Sequence, residues 1–105
     1  MLYMIAVDPV GSGANIDRVD TWVRRNYESW THPLPGLWLV EGALVADQIE
    51  TALAPLFGPA DRYLIVKAAM EAMWNGVSPD CAEWLAENFP GSLSERVAGK
   101  TEALP

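Results

Sequence analysis

Asp8 and His32 combine a side chain suited to catalysis or metal binding with a favourable place in the chain. Asp8 ends an apolar run of strand length, residues 2–8, and a segment rich in proline and glycine, residues 9–13, follows it. A carboxylate held at the end of a strand can bind Mg²⁺ or Mn²⁺, with water completing the coordination. His32 is the only histidine, and an imidazole suits a general base or a metal ligand. Asp8 and His32 are therefore the candidate catalytic residues, and Asp8 is the candidate metal ligand.

Each candidate also has a purely structural interpretation. An aspartate before a proline often accepts hydrogen bonds from the main-chain amides of a turn, and Asp8 precedes Pro9. His32 lies between Trp30 and Pro33, a setting that suits a packed or partly exposed residue of a hairpin. The sequence leaves both interpretations open.

The composition limits the class of partner. The chain has 105 residues, half of them hydrophobic, which is enough for one domain with a packed core. Fourteen acidic side chains against seven basic ones give a net charge of −7, a balance that disfavours nucleic-acid binding without excluding it. No apolar run approaches the roughly 20 residues of a membrane span. With Cys81 as the only cysteine and no signal peptide, we expect a soluble, cytoplasmic protein without a cofactor, or with Mg²⁺ or Mn²⁺ if it is a nuclease.

The apolar periodicity predicts the elements that position these residues. They are a strand over 2–8, a helix over 16–27 that Asn15 caps, a hairpin over 28–41 around the turn at 33–36, a helix over 45–57 and a strand over 62–67. With right-handed crossovers, this order predicts an α+β, ferredoxin-like fold. Its βαββαβ antiparallel sheet would carry both helices on one face.

A C-terminal helix completes the predicted domain. Ser78 supplies a hydroxyl for the N-cap, Pro79 suits the first helical position, and Ala82, Leu85 and Phe89 fall on one face. The segment between the last strand and this helix, 68–77, reads either as a helical turn or as an extended strap. We expect the ferredoxin-like domain to span residues 1–91 and residues 92–105 to form a loosely ordered tail.

Tryptophan and methionine are the candidate contact residues. The sequence has five tryptophans, many for its length, and aromatic and methionine side chains are enriched at interfaces. Trp38, Met70, Met73 and Trp74 are predicted to belong to a dimer or partner contact. Ordinary packing in the core is the alternative for the same residues.

An ordered set of segments carries a family resemblance. They are the first strand with its terminal aspartate (3–8), Trp-Thr-His-Pro (30–33), Leu-Trp-Leu-Val (37–40), Ala-Asp-Gln-Ile (46–49), Asp-Arg-Tyr-Leu-Ile-Val (61–66) and Glu-Trp-Leu (83–85). Together, over residues 1–90, the set resembles the SinR-like family of small proteins. That family is related to the Cas-two type of CRISPR-associated subunit and to virulence-associated protein D. The resemblance implies a ferredoxin-like fold and a homodimer. In the Cas-two relatives, the aspartate at the position of Asp8 is associated with metal-dependent phosphodiester cleavage.

Three functions follow as hypotheses. The first is a homodimeric interaction protein that binds a protein partner, in a defence- or phage-related setting implied by the resemblance. The alternative is a metal-dependent endonuclease of the Cas-two type, acting on RNA or DNA through Asp8 residues paired across a dimer axis. A third is a sensor of a small ligand or nucleotide, with its site in a cleft beside the helices.

Overall fold

A computed structural model describes residues 1–9, 11, 13–68 and 71–89 of the chain. The chain divides into two compact units, Met1–Ala68 and Ala69–Pro105. The first unit holds most of the regular structure. Its elements are β1 (Leu2–Val7), α1 (Ala14–Asn26), β2 (Ser29–Leu34), β3 (Leu37–Glu41), α2 (Ala46–Leu53), a 3₁₀ turn (Ala54–Leu56) and β4 (Tyr63–Lys67).

The four strands form one antiparallel sheet in the order β2-β3-β1-β4. The predicted α+β class and the predicted sequence of elements are confirmed. The hairpin of β2 and β3 turns at Pro35 and Gly36, and an irregularity in its register falls between Thr31 and Leu34. β1 lies inside the sheet, because β3 pairs on one side of it and β4 on the other.

The core lies on one face of the sheet. Tyr3, Ile5 and Val7 alternate along β1 and are buried, because successive side chains of a strand point to opposite faces. Both α1 and α2 contribute to the same cluster, so these two helices cover that face. The remaining buried members of the cluster are Val19, Val23, Tyr27, Trp38, Val40, Ile49 and Leu53.

Two predicted helix boundaries are wrong. The N-cap of α1 is Gly13, whose φ of +84° favours glycine, and Asn15 lies in the first turn with its side chain turned inward. α2 ends at Leu53, short of the predicted Phe57. Pro55 has no N–H to continue the helical hydrogen bonds, so the chain tightens into the 3₁₀ turn.

The second unit contains α3 (Pro79–Asn88). The predicted cap is confirmed, because Ser78 Oγ accepts a hydrogen bond from the Cys81 amide at 3.2 Å and Pro79 follows it. Residues 71–75 form neither helix nor strand. The predicted tail, 92–105, lies outside the described residues. None of the described helices has the length and apolar character needed to cross a membrane.

Candidate functional site

Asp8 lies where β1 ends, beside the residue that precedes β4. Its amide donates to the Arg62 carbonyl at 2.9 Å, which extends the β1–β4 pairing by one residue. The Arg62 guanidinium donates to Asp8 Oδ2 from Nε at 3.1 Å and also from a terminal nitrogen. The carboxylate thus forms an ion pair with Arg62, and the amide of residue 10, which an Asp-Pro turn would use, lies outside the described residues. The carboxylate is engaged by a cation of its own chain.

Asn15 fixes the turn after Asp8, a role that the sequence reading missed. Its side-chain amide donates to the Asp8 carbonyl at 2.9 Å and to Asp61 Oδ1 at 3.1 Å. The other Asp61 oxygen accepts the Gly58 amide at 2.6 Å. Asn15 is 2% exposed, so it joins the end of β1 to the loop before β4 from within the fold. The only sequence signal was its place after the glycines, which instead suggested a helix cap.

These partners decide how well the site fits a divalent cation. Mg²⁺ and Mn²⁺ need several oxygen ligands that are free of other cations. Asp8 is paired with Arg62, and both carboxylate oxygens of Asp61 accept hydrogen bonds from the chain. Within the described residues no three His, Cys, Asp or Glu side chains cluster as a metal site would require. The described residues of one chain therefore do not fit the metal that the Cas-two resemblance implies.

An apolar row crosses the face of the sheet opposite to α1 and α2, next to this ion pair. Register places Leu34 opposite Leu37, Leu37 opposite Ala6, and Ala6 opposite Leu64, so the row reaches from β2 to β4. These side chains point away from the core, because Ala6 lies between the inward-facing Ile5 and Val7. The two ends of the row, Leu34 and Leu64, are each 56% exposed.

A shallow groove of about 640 Å³ runs along this row and is called the Leu34 groove below. Its floor and sides are mostly apolar, and the Asp8–Arg62 pair forms one rim. Such a surface can accept apolar side chains while the rim satisfies polar groups. The groove is lined by Ala6, Val7, Asp8, Pro9, Leu34, Pro35, Gly36, Leu37, Arg62, Tyr63 and Leu64.

His32 belongs to a different cluster, on the helix side of the hairpin. Its ring stacks on the Trp38 ring with centroids 4.4 Å apart and planes 8° apart. His32 Nε2 lies 2.8 Å from the Pro35 carbonyl oxygen, which only accepts, so this nitrogen donates. Nδ1 lies 3.7 Å from Asp20 Oδ1. No hydrogen bond or ion pair among the described residues joins His32 to Asp8, so the two predicted catalytic residues are not brought together.

Asp20 is the centre of the His32 cluster. Trp38 Nε1 donates to its Oδ1 at 3.1 Å, and Arg24 Nε donates to its Oδ2 at 2.8 Å. Burial alone would raise the pKa of the Asp20 carboxyl. The hydrogen bonds from Arg24 and Trp38, with the charges of Arg24 and His32, outweigh burial and hold this pKa below its ordinary value. The Arg24 guanidinium carbon also lies over the Trp30 ring, 4.7 Å from its centroid. The contacts of Asp20, Arg24, Trp38 and His32 thus have a structural role.

The predicted contact residues separate into different environments. Trp38 is 0% exposed and belongs to the core, which is the alternative given for it above. The sequence left the two interpretations open, since every residue of 37–40 is apolar and the inward face cannot be read from the pattern. Met73 is 49% exposed and Trp74 is half-buried, and Met70 lies outside the described residues. A contact through Met73 and Trp74 stays a prediction.

Comparison of the chain with models of protein families, with curated proteins and with solved structures found no match.

Proposed function

We propose that this protein is a homodimeric interaction protein that binds a protein partner through the Leu34 groove. The observation that carries the proposal is the apolar row across all four strands, whose ends, Leu34 and Leu64, are exposed. An apolar surface that continues across a whole sheet is typical of a site that another surface covers. A net charge of −7 also favours a protein over a nucleic acid as the partner.

The rim of the groove supports the same function. Arg62 and Asp8 stand beside the row and present one charge of each sign at its edge. In protein interfaces, an apolar centre supplies most of the affinity and a polar rim sets orientation. A partner segment with an apolar anchor for the row and polar groups for Asp8 and Arg62 fits this surface.

We also propose a ferredoxin-like fold for Met1–Ala68. α1 links β1 to β2 across the intervening β3, and α2 links β3 to β4 across the intervening β1. These two interleaved units support the split β-α-β arrangement. The SinR-like resemblance, the homodimer and a defence- or phage-related setting belong to the same proposal. The single cysteine supports a reducing, cytoplasmic compartment.

The alternative, a nuclease of the Cas-two type with Mg²⁺ or Mn²⁺, receives less support. It requires the Asp8 carboxylates of two copies to share a cation. Each of those carboxylates carries an Arg62 guanidinium, and the guanidinium would have to leave or be repelled. His32 offers no general base beside Asp8, because its ring is held on Trp38 and the Pro35 carbonyl.

The experiment compares tagged wild type with Leu34→Ser in quantitative affinity capture from the native host. Leu34→Ser removes apolar surface from the groove and leaves the core intact, because the side chain is more than half exposed. We expect proteins that wild type retains to bind the variant about tenfold more weakly. Met73→Ser is the matched control, an exposed apolar residue outside the groove. Loss with Met73→Ser and retention with Leu34→Ser would contradict the groove and favour the contact predicted at Met73 and Trp74.

A further inference from the structure

β4 is an edge strand whose free side carries regular main-chain donors and acceptors. It pairs only with β1, as the last strand in the sheet order. The Asp8 amide donates to the Arg62 carbonyl, and the Ala68 amide donates to the Leu2 carbonyl. Hydrogen-bonded pairs alternate along antiparallel strands, so Arg62, Leu64, Val66 and Ala68 direct their main-chain groups toward β1.

The intervening residues direct theirs outward. Tyr63, Ile65 and Lys67 each present an N–H and a C=O to the free side of β4, and the described part of the chain supplies no main-chain partner for them. An edge of this kind is a template for a further strand.

The opposite edge of the sheet is protected. β2 contains Pro33, which cannot donate, and its pairing with β3 is irregular between Thr31 and Leu34. Both features prevent a regular strand from adding to an edge. β4 has neither feature, and its sequence, Tyr-Leu-Ile-Val-Lys, suits a strand throughout.

The side chains of β4 show which strand fits. We propose that β4 pairs antiparallel with β4 of a second copy of this chain, about a two-fold axis at Ile65. This register sets Ile65 opposite its own copy and Tyr63 opposite Lys67 of the second copy. All of these are outward-directed residues, so each pair exchanges both main-chain hydrogen bonds. A shift of the register by one residue would set Ile65 opposite Leu64 or Val66 of the second copy. The main-chain groups of those two residues face β1, so the hydrogen bonds between the two β4 strands would be lost.

The same register matches side chains on both faces of the sheet. On the face opposite to α1 and α2, Leu64 comes opposite Val66 of the second copy, and both are exposed in the single chain at 56% and 39%. Their contact extends the apolar row into the second sheet. Cross-strand apolar pairs of this kind stabilise antiparallel pairing.

On the helix face, the register brings opposite charges together. Tyr63 Oη donates to Glu50 Oε2 of α2 at 2.6 Å, and this bond, followed by burial and the charge of Glu50, raises the pKa of Tyr63. Lys67 of the second copy, opposite Tyr63, therefore meets the Glu50 carboxylate. Lys67 is exposed and forms no ion pair with any described residue of its own chain. The two-fold axis repeats the Glu50–Lys67 pair on both sides of Ile65.

This inference deepens the homodimer that the proposed function includes, and its test avoids the Leu34 groove. Sedimentation equilibrium measures the dimer dissociation constant of wild type, Glu50→Lys and Lys67→Glu, and of an equimolar mixture of the two variants. In a dimer of either variant alone, position 50 of one copy meets a like charge at position 67 of the other, on both sides of the axis. We therefore expect about tenfold weaker dimers. In the mixed dimer both pairs are again opposite in sign, so we expect the wild-type constant to return.

A main-chain test accompanies the charge test. Ile65→Pro removes an outward N–H and spares every bond to β1, so we expect a folded monomer by circular dichroism and sedimentation. A monomeric wild type, or a mixture that dimerises no better than the two variants alone, would overturn the proposal. A dimer that persists in a folded Ile65→Pro would do the same. If Ile65→Pro fails to fold, the charge mixture alone decides. If dimerisation follows these predictions but Leu34→Ser captures the same proteins as wild type, the result contradicts the Leu34 groove and leaves the β4 dimer supported.

Discussion

Asp8 and Arg62 are joined through the main chain and through their side chains, at the point where β1 and β4 end their pairing. The ladder bond fixes the two residues side by side, and the guanidinium then lies against the carboxylate. A carboxylate that already holds a cation of its own chain is a poor starting point for metal-dependent cleavage. The same pair is well placed as a charged rim for an apolar surface.

Asp8→Asn is expected to leave nuclease assays unchanged. With Mg²⁺ or Mn²⁺, labelled RNA and duplex DNA should be cut equally by wild type and variant, at the level of a buffer control. The ion pair is exposed on both partners, so its loss should cost less than about 1 kcal/mol and leave a native thermal transition. Metal-dependent cleavage present in wild type and absent in Asp8→Asn would instead support paired Asp8 residues.

Asn15→Ala is expected to destabilise the fold. It removes the side-chain amide that donates to the Asp8 carbonyl and to Asp61, so two part-buried acceptors lose their donor. We expect a loss of about 1–3 kcal/mol in the free energy of unfolding, measured with denaturant. Asn26→Ala is the matched control on the same helix, because Asn26 is exposed and its side chain donates to the Trp22 carbonyl one turn before it. Equal effects of the two substitutions would rule out a special role for Asn15.

Asp20→Asn is expected to lower stability in a pH-dependent way. The folded-state pKa of Asp20 lies below its ordinary value of 3.8, so ionised Asp20 stabilises the fold at every pH above that value. The contribution is lost as the pH falls from about 3.8 through the folded-state pKa. We expect wild type to exceed the variant by about 1 kcal/mol at pH 7, because charged hydrogen bonds are lost. Denaturant unfolding at a series of pH values should show this gap closing only in acid; a gap that is independent of pH would contradict the Asp20 network.

Gly36→Ala is expected to disturb the turn beside the groove. A methyl group there would clash with the Val7 carbonyl oxygen, which is a main-chain atom and cannot move aside. The Val7 amide also donates to the Gly36 carbonyl at 2.7 Å, so the strain falls on β1. We expect a loss of about 1–3 kcal/mol in the free energy of unfolding. Gly58→Ala is the control, since its methyl group meets only an ordinary contact at 3.8 Å and should cost far less.

Local features of the fold were predictable from the sequence because local chemistry determines them. The strand up to Val7 ends before Pro9, the hairpin turns at Pro35 and Gly36, and Ser78 caps α3; each depends on residues close together in the chain. Pro55 was a local signal too, and it explains the early end of α2.

The candidate site was less predictable, because its parts are distant in sequence. Arg62 reaches Asp8 across 54 positions, and the pairing depends on the register of β4 against β1. The apolar row needs three registers at once, whereas Leu34 alone reads as one exposed residue of a hairpin. The core position of Trp38 could not be chosen over a contact position, because β3 is apolar on both faces and the pattern does not show which face meets the helices.

Site-specific photo-crosslinking in the native host tests whether a protein covers the Leu34 groove. A photoreactive amino acid at position 34 samples the groove, and the same amino acid at Thr51, exposed on α2, samples a surface outside it. We expect a discrete protein adduct from position 34 that is absent from position 51. Adducts to RNA or DNA from position 34, or the same proteins captured from both positions, would contradict it.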